Sequence, residues 1–150
     1  MEISFLDATA SLAVAVLLGG LIGVERQIHG RWAGLRTHMM VSMGAAVFVM
    51  AGQLAAQESQ HDVTRIVQGI AAGVGFLGAG TILKLSDRLE VKGLTTATSI
   101  WLSAALGTVA GLRQYQLAAA STVVSLLVLA LLRPIEKKFN QRLDREENTP

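Results

Sequence analysis

The chain has 150 residues, of which 51% are hydrophobic and 16% charged, with 13 Lys and Arg against 11 Asp and Glu and no cysteine. Soluble domains usually contain about 25% charged residues, so this composition argues against a soluble protein. The lack of cysteine excludes a disulfide framework, a thiolate metal site and a cysteine nucleophile. The basic residues lie in short loops between apolar runs, which argues against a nucleic-acid partner.

Five apolar stretches approach the length of about 20 residues that a helix needs to cross a bilayer. They cover residues 8–24, 38–56, 66–83, 94–112 and 117–132. We therefore predict an all-α membrane protein of five transmembrane helices, with a transmembrane domain over 1–133 and a charged cytoplasmic tail over 134–150. Pro134 suits the first turn of a helix, so the tail is expected either to begin a short amphipathic helix there or to be solvated.

Basic residues are distributed unevenly among the loops. Eleven of the thirteen lie within 26–36, 84–92 and 133–145, whereas Arg65 and Arg113 occupy the other side. By the positive-inside rule this predicts a multi-pass chain with its N-terminus outside and its C-terminus in the cytoplasm. The residues before the first stretch include no Lys or Arg, which favours a retained span over a cleaved signal peptide.

The chain resembles itself when it is shifted by 59 residues. The segments "LLGG" and "AGLRT" then align with "FLGA" and "KGLTT". This shift defines two units, residues 8–56 and 66–112, and leaves 117–132 as an extra span. Each unit consists of a glycine-rich span, a basic loop, a Gly-Leu-x-Thr helix start and a second span. Two such units in one orientation predict a parallel repeat about an axis along the membrane normal.

The segment "GVGFLGAG" (73–80) contains a G-x-G-x-x-G pattern. A dinucleotide site would need a preceding strand and an acidic residue about 20 positions on. The segment lies instead within one apolar run, so we predict a helix whose small residues pack closely against neighbouring helices and favour a homodimer. The alternative is a helix break at Gly75, Gly78 and Gly80 that exposes backbone to a cavity.

Charged residues mark the cytoplasmic edge of the first two spans. Glu25, followed by Arg26, sits at the end of the first apolar run, where an acid either pairs at the interface or marks an ion path. Arg36 is a candidate to bind an anion or to pair with Glu25, and Gly34 permits a turn. Thr37 is a candidate N-cap for the second span. His38 is interpreted as a polar contact, and His29 and His61 are expected to be solvated.

Hydroxyl groups are frequent in the fourth span, which follows Gly93. Thr96, Ser99 and Ser103 share one helical face. These residues and Thr95 either bond to carbonyl groups and adjacent helices or line a hydrated path together with Glu25. No catalytic constellation accompanies them, so we expect a protein that is not an enzyme and holds no cofactor.

Four segments in this chain resemble the MgtC/SapB family of bacterial inner-membrane proteins. They are "GVERQ" (23–27), "AGLRTH" (33–38), "GVGFLGAGTI" (73–82) and "VKGLTTATSIWLSAALG" (91–107), in the order found in the family. The resemblance covers most of residues 19–111. It is closest to short members with the membrane domain alone, without the soluble C-terminal domain of longer members.

The resemblance implies a role in growth at low magnesium or in acid tolerance, exerted as a regulator of another membrane complex. A second hypothesis is a cation carrier or channel, for magnesium or coupled to protons, with Glu25 in its path. A third is a site for an anion or a lipid headgroup, built by Arg26, Arg36 and the two Gly-Leu-x-Thr helix starts, because helix N-termini attract negative charge.

Overall fold

The computed structural model describes residues 3–55, 60–84 and 91–147, with the side chains of 60–62, 83–84, 91 and 135–147 outside this description. Five helices follow one another: α1 (Phe5–Ile28), α2 (Leu35–Ala55), α3 (Gln60–Ala79), α4 (Leu94–Gly111) and α5 (Tyr115–Glu147). A two-residue antiparallel hairpin, β1 (Leu83–Lys84) and β2 (Val91–Lys92), joins α3 to α4. The predicted all-α fold is confirmed. The predicted end of the second span at Ala56 and the loop residue Arg88 lie outside the described residues.

Three helical segments are long and apolar enough to cross a membrane, namely α1, α2 and Tyr115–Pro134 of α5. In α3 the apolar stretch is shorter, Val63–Ala79. Large apolar side chains such as Leu17, Phe48 and Phe76 are exposed on the outside of the bundle. Such a surface is unfavourable in water and favourable against lipid.

Helix α4 is the central helix, because it packs against each of the other four. Its buried face carries Thr96, Ser99, Ser103 and Thr108 between Ala and Gly residues. A helix surrounded by protein has less need of an apolar surface than one facing lipid, which explains why the fourth apolar stretch is the richest in hydroxyl groups.

Glycines allow the three helices α1, α2 and α4 to approach each other closely. A Cβ atom built on Gly19 would lie 2.6 Å from the carbonyl oxygen of His38. One built on Gly107 would collide with the Ser42 carbonyl, and one on Gly111 would lie 2.9 Å from the carbonyl oxygen of Ala46. Ser42 also donates a hydrogen bond from Oγ to the Ala15 carbonyl at 2.7 Å, so polar and van der Waals contacts occur at the same crossing.

Two helix starts and two helix contacts are related by the same shift of 59 residues. Helices α2 and α4 begin at Leu35 and Leu94, which are 59 positions apart. Gly19 faces His38 between α1 and α2, and the equivalent Gly78 faces Ala97 between α3 and α4, with 3.5 Å from a built Cβ to the Ala97 Cβ. The packing of α1 on α2 is thus repeated by α3 on α4.

At one end of the bundle, α1 contacts the turn between α4 and α5 through two polar side-chain pairs. Ser11 Oγ lies 3.0 Å from the Tyr115 hydroxyl, and Asp7 pairs with Arg113 at 3.2 Å. Arg113 has a positive φ of 61°, which reverses the chain direction between the two helices.

Helix α5 does not end at Pro134. The sequence left open a short separate helix from Pro134 or a solvated tail, and α5 instead continues through Pro134 to Glu147. Proline removes one intrahelical hydrogen bond. It does not end α5, because the Glu, Lys, Gln and Arg residues that follow it are good helix formers. The apolar side chains of the tail, at 135, 139 and 143, lie outside the described part.

Candidate functional site

The end of α1 holds a compact cluster of charged groups. Glu25 Oε1 lies 2.8 Å from His29 Nδ1, and Glu25 Oε2 lies 3.8 Å from a guanidinium nitrogen of Arg26. Arg26 is 2% exposed, so its charge is enclosed by the bundle. A buried charge is stabilised by a paired opposite charge and by hydrogen bonds. The expectation that His29 is solvated was wrong, because its position one helical turn after Glu25 brings the two side chains together.

A small cavity of about 90 Å³ opens beside this cluster. Its polar lining combines the end of α1, the following loop, the start of α4 and the middle of α5. These groups are Glu25, Arg26, His29, Arg31, Thr95 and Arg133. Its apolar wall comes from α5, through Val128, Leu129 and Leu132. Residues more than 100 positions apart therefore form one charged site, and no local pattern in the sequence associates Arg31 or Arg133 with Glu25.

The start of α2 is capped by α1. The Leu35 N–H donates a hydrogen bond to Gln27 Oε1 at 3.0 Å, which satisfies one of the free donors of the first turn. A Cβ on Gly34 would lie 2.9 Å from this same oxygen, so glycine leaves room for the cap. Thr37 was wrongly expected to be the N-cap, since α2 begins two residues earlier.

Arg36 lies apart from the charged cluster. Its side chain is exposed on the first turn of α2, and it does not line the cavity beside Glu25. The pairing of Arg36 with Glu25 that we considered is replaced by the contacts of Glu25 with His29 and Arg26.

Gly93 precedes α4 in the left-handed conformation, with φ of 99°. A Cβ at this position would collide with the carbonyl group of Thr81. Gly93 therefore combines a backbone conformation that L residues rarely adopt with a close approach to the end of α3. It fixes the start of α4, and with it the position of Thr95 at the cavity.

A buried polar contact joins α2 to α4 inside the bundle. His38, which is fully buried, places Nδ1 2.8 Å from the Gly34 carbonyl oxygen and Nε2 3.0 Å from Ser99 Oγ. Ser99 Oγ also lies 2.8 Å from the Thr96 carbonyl oxygen. Because a carbonyl oxygen only accepts, Nδ1 carries a proton and donates. His38 thus makes the polar contact that we expected.

The hydroxyl-bearing face of α4 is divided between two environments. Thr96, Ser99 and Ser103 are buried in the bundle, whereas Thr95 is exposed and lines the cavity that holds Glu25. Ser103 Oγ has no hydrogen-bond partner among the described residues. Of the candidate path residues, the structure brings only Thr95 to the same cavity as Glu25.

The glycines of α3 mostly face open space within this chain. A Cβ added to Gly69, Gly73 or Gly75 would meet no other atom within 4 Å. Gly78 contacts Ala97 of α4, and Gly80 follows the end of the helix. The helix is unbroken from Gln60 to Ala79, so Gly75 and Gly78 do not interrupt it. Between α2 and α3 lies an apolar groove of about 610 Å³, lined in part by Gly44, Gly69 and Gly73.

A helical bundle with apolar outer surfaces, spanning-length helices and buried hydroxyl contacts defines an all-α membrane protein. Its charged site lies where the first helix ends and the repeat units meet. A sequence model of the MgtC family matches residues 12–138. The chain belongs to the MgtC family.

Several relatives share this name. Over 131 residues the chain is 43% identical to Protein MgtC of Salmonella typhimurium, covering 87% of the chain and 54% of the relative. Over 126 residues it is 48% identical to Protein MgtC of Brucella abortus and of Brucella suis, covering 84% of the chain and 51% of each relative. The chain thus spans about half the length of these relatives. No solved structure matches the chain significantly.

Proposed function

We propose that this chain is a multi-pass protein of the bacterial inner membrane that serves magnesium homeostasis or acid-stress adaptation by regulating another membrane complex. It is not an enzyme in this proposal and uses no cofactor. The observation that supports the proposal most is the family membership across 12–138, together with the kinship to proteins named MgtC.

The charges around Glu25 favour regulation over carriage of magnesium. Magnesium is usually held by one or two carboxylates and several waters in octahedral geometry. Among the described side chains Glu25 is the one carboxylate that lines its cavity, and both of its oxygens are directed at cationic or imidazole groups, Arg26 and His29. Within the described residues, no group of three or more His, Cys, Asp or Glu is placed to hold a metal ion.

The alternative function is a cation transporter or channel with Glu25 in its path. One observation favours it. Glu25 Oε2 is buried and accepts no hydrogen bond from the described residues, although Arg26 lies at ion-pair distance. A buried carboxylate oxygen with spare acceptor capacity is a feature of cation and proton paths in membranes.

Growth of a strain that lacks the gene tests the proposed function. We expect the deletion to impair growth at limiting magnesium or at low pH, the wild type to restore it, and Glu25→Gln to fail. Thr98→Ala is the matched control, because Thr98 is exposed and donates only to the Thr95 carbonyl. Normal growth of the deletion strain under both conditions would contradict the proposal.

We also propose a homodimer formed through the glycine-bearing surface of α3. Gly69, Gly73 and Gly75 leave this surface without side-chain volume, and small residues let membrane helices approach closely. Gly75→Leu is expected to convert the dimer to monomers, as measured by the mass of the protein in detergent. Ala120→Leu, at an exposed position of α5, is the control for added apolar volume elsewhere.

A further inference from the structure

The described lining of the cavity beside Glu25 carries more positive than negative charge. It includes three guanidinium groups, those of Arg26, Arg31 and Arg133, and one carboxylate among the described side chains, that of Glu25. That carboxylate contacts Arg26 and His29. Among the described side chains none forms an ion pair with Arg31 or Arg133, which suits these two arginines to an anion.

Two further groups at this cavity suit an anionic oxygen. Thr95 supplies a hydroxyl donor, and it lies in the first turn of α4, where backbone N–H groups are free of helical partners. The positive end of the α4 dipole is directed at the same region. Guanidinium groups, a hydroxyl and a helix N-terminus are the donors that proteins use for phosphate groups.

The remaining wall of the cavity is apolar. Val128, Leu129 and Leu132 belong to α5, whose outer face exposes Val128 and Leu132. A ligand held here therefore meets charged groups at one side and a lipid-facing helix at the other. The cavity has a volume of about 90 Å³, well above the space that one water molecule needs, so a phosphate group can enter it.

We propose that this cavity binds the phosphate of an anionic phospholipid headgroup, with Arg31 and Arg133 as its ligands and the acyl chains lying along α5. Arg26 adds a fixed positive charge from inside the bundle. Glu25 Oε2, which accepts no hydrogen bond from the described residues, accepts one from a hydroxyl of the headgroup. A glycerol headgroup such as that of phosphatidylglycerol supplies both the negative charge and this donor.

Native mass spectrometry of the detergent-solubilised protein tests the site. The probes are phosphatidylglycerol, phosphatidylcholine as a lipid without net charge, and glycerol 3-phosphate as a free phosphate. We expect phosphatidylglycerol to be retained in preference to the other two. Removing the charge of Arg31 or Arg133 with glutamine should weaken retention about fivefold each, the usual contribution of one basic residue near anionic lipid.

Matched variants separate a specific site from general charge attraction. Arg36→Gln removes an exposed arginine that does not line the cavity and should leave retention unchanged. Arg133→Lys keeps the charge and should retain most of the binding. Unchanged melting temperatures of the variants show that lost binding does not reflect unfolding.

Three results would overturn the proposal. Equal retention of phosphatidylglycerol and phosphatidylcholine would remove the headgroup site, as would equal weakening by Arg36→Gln and Arg133→Gln. Retention of glycerol 3-phosphate without preference for the lipid would assign the arginines to a free phosphate and overturn the lipid source. The readout involves neither growth nor ion flux, so its failure is distinguishable from failure of the proposed function.

Discussion

Ser99 places its hydroxyl oxygen 3.0 Å from Nε2 of His38, which links the central helix α4 to α2 within the bundle. The hydroxyl also lies within hydrogen-bond distance of the Thr96 carbonyl. When the imidazole is neutral, with its proton on Nδ1, the single proton of the Ser99 hydroxyl is donated either to Nε2 or to the Thr96 carbonyl. When Nε2 also carries a proton, it donates to the Ser99 oxygen, and both contacts are satisfied.

Replacing Ser99 with alanine should therefore destabilise the protein. The change leaves Nε2 of a fully buried imidazole without its partner, at a cost of roughly 0.5–2 kcal/mol. The measurement is the melting temperature in detergent. Thr98→Ala, on the exposed side of the same helix, should cause a smaller change, and equal shifts for both variants would contradict the role given to this contact.

Gly107→Ala should destabilise the protein more than alanine at other helical glycines. The added methyl group would collide with the Ser42 carbonyl and force α2 and α4 apart, and overpacking of this kind costs about 1–3 kcal/mol. Gly44→Ala is the control, because a Cβ on Gly44 meets nothing within 4 Å and alanine there improves helix propensity by roughly 0.5–1 kcal/mol. If both variants unfolded alike, the close approach of α2 and α4 would be wrong.

The orientation in the membrane is directly testable because the chain has no cysteine. We predict that Gln114→Cys, between α4 and α5, reacts with an impermeant maleimide in intact spheroplasts. Trp32→Cys, between α1 and α2, should react only after permeabilisation, since its loop carries the basic residues that stay inside. Both positions are exposed in the structure. The reverse labelling pattern would contradict the predicted topology.

The helices follow from the sequence because they depend on local patterns. Apolar runs predicted the five helices, three of which contain segments long and apolar enough to cross a membrane. The paired Gly-Leu segments predicted the starts of α2 and α4 at Leu35 and Leu94. The boundary predicted at Pro134 between the last span and the tail does not coincide with a helix end, because one missing hydrogen bond is a weak signal against a run of good helix formers on its C-terminal side.

The candidate site was only partly predictable. Glu25 and Arg26 are conspicuous because charge at the edge of an apolar run is costly. The pairing of His29 with Glu25, and the cap that Gln27 provides to α2, depend on the direction of side chains at the end of α1. The approach of Arg133 depends on how α5 packs across the start of α4, which no local pattern encodes.

We propose that the protein serves magnesium homeostasis or acid-stress adaptation without carrying magnesium itself. The most direct measurement is magnesium flux into proteoliposomes with a trapped indicator, for the wild type and for Glu25→Ala. Folding and insertion are verified beforehand by melting temperature and by protease protection. Our account predicts that both proteins give the flux of empty liposomes. Flux in the wild type that disappears in Glu25→Ala would contradict it and would establish a carrier with Glu25 in its path.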